Sequence, residues 1–394
     1  LLISGVLSIA AAAAVPTFHR DVLPILQNRC QSCHRPGEAA PMPLLTFKEV
    51  RPWAKAIRGS VLQGKMPPWS ADPRHGKFRN DLSMPAAERD LLVSWVDGGS
   101  PEGDPADAPA PRTFTEGWKI AKPDAIFEMP QPFEVPASGA IDYQYFSVPT
   151  NFTEDRWVES VEVRPGDRSV VHHAIVTVDS GGWTGRQYLA GYAPGMSPQI
   201  WPKGQARLIK AGSYLTFQMH YTANGKATRD RTRIGLIFAK APAKEQVVAL
   251  NASAYWFSIP PREANYRVES AAALREEVKL VGMRAHMHLR GKSFQFRAVY
   301  PTGESEILLN IPKYDFEWQP YYYLETPKLL PRGTRIECTA YFDNSANNPR
   351  NPDPSAEVSW GPQSWDEMMI GWFDVAVDAA KASNLLRGYR GAVE

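Results

Sequence analysis

Cysteine is scarce: the 394 residues hold three, Cys30, Cys33 and Cys338. Disulfides are therefore excluded as the stabilising framework. An excess of one charge is also missing. Forty-four Lys and Arg against 42 Asp and Glu leave a formal charge of +2, which argues against a broad nucleic-acid footprint. Histidine is sparse, at eight residues. Leu1–Val15 is almost wholly apolar but short for a membrane span. Its small residues Ala10–Ala14 give it the character of the apolar region and cleavage zone of a secretory signal. That points to an exported, periplasmic or secreted protein, with an uncleaved N-terminal membrane anchor as the alternative. Thirty-five prolines and 28 glycines imply many loops and few long helices. Twelve tryptophans and 15 tyrosines suit sandwich cores or an aromatic-lined site.

Residues 17–105 read as a first domain. Phe18, Val22, Ile25 and Leu26 form one apolar helical stripe that runs into Cys30-Gln31-Ser32-Cys33-His34. Two thiols at this spacing followed at once by histidine are the signal for covalent haem attachment, with His34 as the proximal ligand. A redox thiol pair and part of a zinc site are the competing readings. Met66, in a stiff Met-Pro-Pro loop, is the best distal ligand, because a thioether raises the iron potential relative to a second histidine. Met42, Met84 and His75 are its rivals. Residues 106–114 are a linker poor in structure signals, rich in proline and alanine.

From residue 115 onward the apolar pattern alternates, predicting strands at Arg156–Arg164, Val170–Val178, Tyr214–Tyr221, Thr232–Phe238, Val278–Arg284 and Arg335–Phe342. His286 and His288 stand two apart, on one strand face, and can reach one metal ion. His172 and His173 are adjacent, so shared ligation needs a strand edge, a bulge or different ring nitrogens. His220 closes another strand and offers a third imidazole. Imidazole suits zinc, copper, iron and nickel. No Asp or Glu sits beside His172 or His173 in the sequence, which disfavours a metallohydrolase.

The ordered set His172-His173, His220, His286-x-His288 and Asp366-Glu367-Met368 resembles the copper type II, ascorbate-dependent monooxygenases, the family of peptidylglycine alpha-hydroxylating and dopamine beta-monooxygenases, over roughly residues 120–380. The N-terminal part resembles cytochrome c domains fused to bacterial members. The resemblance implies a small all-α cytochrome c domain followed by two all-β jelly-roll-like sandwich domains, 115–245 and 246–394. It implies two copper ions, one on His172, His173 and His220, the other on His286, His288 and Met368, across a solvent-filled cleft. A haem c would relay electrons from an exported donor, and O2 would hydroxylate a C–H bond at the second copper. Arg284, Ile370 and Trp372 occupy substrate-contacting positions. They suit a small organic substrate, apolar or aromatic, with an anionic group near Arg284. The alternative is a non-catalytic, exported haem or copper electron-transfer or copper-binding protein.

Overall fold

The computed structural model describes residues 15–38, 40–181 and 186–386. The apolar N-terminal segment, save Val15, lies outside the described residues. The chain divides into two compact units: residues up to 67 with 82–114, and residues 68–81 with 115 onward. No helix among the described residues is long and apolar enough to cross a membrane.

The first unit is built of short helices. The stripe predicted over Phe18–Arg29 is split into a π-turn, Phe18–Val22, and an α-helix, Leu23–Arg29. Pro24 supplies no N–H to a continuous ladder, so the α-helix starts with proline in its first turn. Thr46 and Glu49 form a reciprocal capping box ahead of Phe47–Val50. The longer helices Ala54–Leu62 and Ala86–Asp97 follow, with short 3-10 turns at Arg51–Trp53 and Pro105–Asp107. Phe18, Leu26, Val50 and Trp95 are fully enclosed between them.

The second unit corrects the expectation of two separate sandwiches. One nine-stranded sheet runs through both sequence halves: Ala125–Glu128, Arg233–Phe238, Arg156–Arg164, Gln205–Ile209, Glu245–Ala254, Met369–Asp378, Val278–His286 and Tyr322–Leu330, with Gln199–Ile200 paired to Arg156–Arg164. The halves join where Gln205 and Ala206 pair in parallel with Glu245 and Gln246. Two four-stranded antiparallel sheets accompany it, one containing Val171–Asp179 and Tyr214–Tyr221, the other Gly291–Val299 and Arg335–Phe342. The physical reason for the merger is visible in strand Met369–Asp378. Met369, Phe373, Val375 and Val377 enter one apolar core, while Ile370, Trp372 and Ala376 enter a second. A strand buried on both faces reads as a nearly continuous apolar run rather than an alternation. Gly371 is required in that strand, because a Cβ there would collide with the buried Cys338 thiol and the Phe296 ring.

Two local features bear on the site. The buried guanidinium of Arg207 donates to Asp374 Oδ2 at 2.8 Å and to the Tyr188 carbonyl at 2.7 Å. This pair spans the joint, from Gln205–Ile209 to Met369–Asp378 across Glu245–Ala254. Residues 68–81 form a strap along the sheet's last strand. The Arg79 amide donates to the Tyr323 carbonyl, and the Glu325 amide to the Lys77 carbonyl. Asn80 donates to the Tyr321 carbonyl at 2.7 Å and accepts from the Tyr323 amide at 3.0 Å. Trp69 and Phe78 pack on Tyr322 at centroid distances of 4.7 and 5.5 Å. The strap covers an edge that would otherwise present unpaired backbone groups.

The expectation that the helical unit is a cytochrome c domain is corrected as well. Cys30–His34 forms the turn that closes the Leu23–Arg29 helix: the Cys33 and His34 amides both donate to the Cys30 carbonyl, at 3.1 and 2.9 Å. Burial pushes the Cys30 thiol up to about 12, and neither Cys30 nor Cys33 is in a disulfide. The His34 ring places Nδ1 3.2 Å from the Met42 carbonyl. Met66 is half-buried in the turn after Ala54–Leu62, and its rival His75 lies in the strap of the other unit.

Candidate metal centre

The three imidazoles of His172, His173 and His220 converge. One ring nitrogen from each lies within 4.8 Å of the others. A β-bulge makes this possible. Val171 pairs with Tyr221 and His173 with His220, so His172 is the extra residue between two registered pairs. Successive strand side chains ordinarily point to opposite faces. The extra residue cancels the alternation and puts both neighbours on the side of His220.

The nitrogens are placed for a shared cation. His172 Nδ1 and His173 Nδ1 are 3.2 Å apart. A tetrahedral ion bound at about 2.0–2.1 Å from each nitrogen holds its donors roughly 3.3 Å apart. The other nitrogen of His172, Nε2, lies 3.0 Å from Glu317 Oε2. With its proton on Nε2, His172 turns a lone pair toward His173, the tautomer a metal requires. His220 Nδ1 is buried with no protein hydrogen-bond partner.

The electrostatics keep the His173 and His220 rings neutral. Burial, then the neighbouring rings of His220 and His172, hold His173 far below the usual histidine range. Burial, then His172, brings His220 down to about 3. The hydrogen bond to His172 holds the Glu317 carboxyl below its ordinary range, with Arg350 contributing. Neutral imidazole is the ligating form, so His173 and His220 stand ready as donors at neutral pH.

Glu317 is the functional candidate that sequence reading missed. It lies 145 positions from His172, in an aromatic-rich stretch, and nothing local signals the meeting. Phe316 beside it stacks on His172 at 5.5 Å and stands edge-on to His288 at 6.1 Å.

His286 and His288 are buried, with ring centroids 5.2 Å apart. His286 Nδ1 is 2.7 Å from Gln319 Oε1, and His288 Nδ1 is 3.2 Å from the Asp366 carbonyl. Burial, then Arg284, lowers His286 to about 4. Arg284 and His286 share a small cavity of about 20 Å³ with His172, His173, Phe316 and Glu317, room for about one water. His172 and His173 of one histidine set and His286 of the other therefore border one small, partly open space, where a solvent-filled cleft was expected. Met368 is buried in the second apolar core with Ile370 and Trp372. Arg284 pairs with Trp372, and His286 with Ile370, across neighbouring strands. Ile370 and Trp372 do not line the cavity.

Comparison with known proteins returns no family model and no curated protein that matches. Solved structures with some likeness include the STIV MCP, 8% identical over 66% of this chain and 98% of that one, with a TM-score of 0.31. PBCV-1 VP54, fitted into a reconstruction of the virophage Sputnik, is 7% identical over 67% and 96%, with a TM-score of 0.27. The infectious bursal disease virus VP2 subviral particle is 8% identical over 72% and 78%, with a TM-score of 0.20. Likenesses this distant carry no function to this chain.

No family model and no curated protein supports the expectation drawn from the ordered motifs. Membership of the copper monooxygenases is withdrawn, and with it the dicopper enzyme, the C–H hydroxylation and the electron relay. Among the described residues, His172, His173 and His220 form the one cluster of three or more His, Cys, Asp or Glu donors. Among the described residues no second cluster of these four donor types stands beside it, and the two-copper assignment is withdrawn. The covalent haem expected on Cys30, Cys33, His34 and Met66 is withdrawn with the cytochrome assignment. Those cysteines and His34 form a helix-closing turn.

Proposed function

We propose that this chain is a non-catalytic metal-binding β protein that holds one first-row transition ion on His172, His173 and His220. The observation that carries the proposal is the bulge at His172, which turns two adjacent histidines toward a third on the paired strand. Such a bulge breaks a ladder without improving the core, and bulges commonly re-aim side chains at functional sites. Glu317 supports the reading: a carboxylate on the remote nitrogen of a ligating histidine fixes its tautomer and raises its basicity. The donor set is all imidazole, which suits the borderline ions. Under this proposal Arg284 and His286 bound the space beside the ion, Arg284 contributing positive charge and His286 a neutral donor. The exported setting remains part of the proposal, resting on Leu1–Val15.

Calorimetric titration of metal-stripped protein with Zn2+, and separately with Ni2+ and Cu2+, tests this. One ion per chain is expected. His173→Ala and His220→Ala should each weaken it by more than the roughly 10–100-fold that loss of an outer-shell partner costs. Glu317→Gln should fall within that range. Absence of stoichiometric binding, or binding indifferent to both alanine variants, refutes the site.

A further inference from the structure

A larger cavity, about 610 Å³, opens beside His220. Its volume is that of a small-molecule site. Its walls come from three loops, each held by named contacts. The 137–143 loop is tied to the 222–225 loop by the Gly225 amide, which donates to the Ala137 carbonyl at 2.9 Å. The Thr222 amide is held by the Val170 carbonyl at 2.8 Å. The third wall carries Trp365, whose carbonyl accepts from Nη1 of the buried Arg290 at 2.8 Å. Tyr143 lies on the His220 ring at 4.8 Å and forms part of the floor.

The lining chemistry is selective. No Lys, Arg, Asp or Glu lines the cavity. A charged ligand would lose hydration there without gaining a counter-charge. The Trp365 side chain is half exposed although its backbone is anchored in the interior. A large ring held at a cavity mouth, with a tyrosine at the floor, offers two aromatic faces. Ser138, Thr222, Gln363 and Ser364 add neutral hydrogen-bonding groups.

We infer that this cavity binds a neutral, planar aromatic molecule bearing a hydroxyl or similar polar group, held by ring contacts with Trp365 and Tyr143. This inference stands on the cavity alone and is independent of the metal reading.

The test is calorimetry with 2-naphthol on metal-stripped, full-length protein, repeated after zinc addition. 2-Naphthoate supplies the same rings with a charge, and decahydro-2-naphthol supplies the hydroxyl without aromaticity. One 2-naphthol per chain is expected, with both analogues weaker by at least about tenfold. Trp365→Ala should weaken 2-naphthol by a similar factor. Ala140→Trp, which fills the cavity from an exposed lining position, should abolish it. Either variant binding 2-naphthol as the parent does, an analogue binding equally well, or no saturable binding at all overturns the inference. Binding in stripped protein that lacks any zinc response separates this outcome from failure of the metal site.

Discussion

Asp374→Ala is the sharpest test of how the β unit is joined. Asp374 is fully buried, and Arg207 is 5% exposed. Their contact of 2.8 Å bridges two strands that flank Glu245–Ala254. Removing the carboxylate leaves a guanidinium in the interior that still donates to the Tyr188 carbonyl but has lost its counter-charge. Breaking a buried pair in this way costs about 3–5 kcal/mol. The environment is imperfect: Asp374 Oδ1 is buried with no hydrogen-bond partner, so the native pair is not at its best and the lower end applies. Against a total stability of roughly 5–15 kcal/mol, about 3 kcal/mol is a large fraction. Replacing both partners, as Arg207→Met with Asp374→Leu, removes the two desolvation costs together and should recover most of the loss. Urea denaturation monitored by tryptophan fluorescence gives the four corners of the cycle. If Asp374→Ala lies within about 1 kcal/mol of the parent, or the double variant is as unstable as the single, the pair does not clamp the joint.

Two further outcomes follow from the geometry. His173, His220 and His286 all have folded-state pKa values below those of the unfolded chain, so the unfolded state binds more protons below about pH 6.5. Stability is therefore present above pH 6.5 and lost as pH falls toward 4, by up to about 1.4 kcal/mol per pH unit for each histidine; a flat urea midpoint between pH 7 and 4.5 would contradict this. Asn80→Ala leaves the Tyr321 carbonyl and the Tyr323 amide without their strap partner and should cost about 1–3 kcal/mol. Faster proteolysis within 68–81 would show that the strap has lifted, and parental resistance would reject its role.

Much of the strand inventory was legible because it is local. Tyr214–Tyr221 and Arg335–Phe342 have the bounds that their alternation gives, since period-two burial is written into consecutive residues. Strand Val278–His286 runs two residues beyond its predicted end, because its pairing with Met369–Asp378 continues to His286. The ordered motifs, by contrast, suggested a family that the comparisons do not support. Short histidine motifs record which donors a chain possesses, whereas function depends on the site they build.

By itself, then, the sequence determined the residue chemistry and the local periodicity: three imidazoles on two strand patterns, too few cysteines for a disulfide scaffold, balanced charge. The tertiary structure decided which of these act together. The bulge that aligns His172 with His173 depends on register against Tyr214–Tyr221, and register is a property of the strand pair. Glu317 reaches His172 across 145 positions, and the two halves share one sheet because Met369–Asp378 is buried on both faces. Such pairings are long-range, and no local period encodes which distant backbone a strand or side chain will meet.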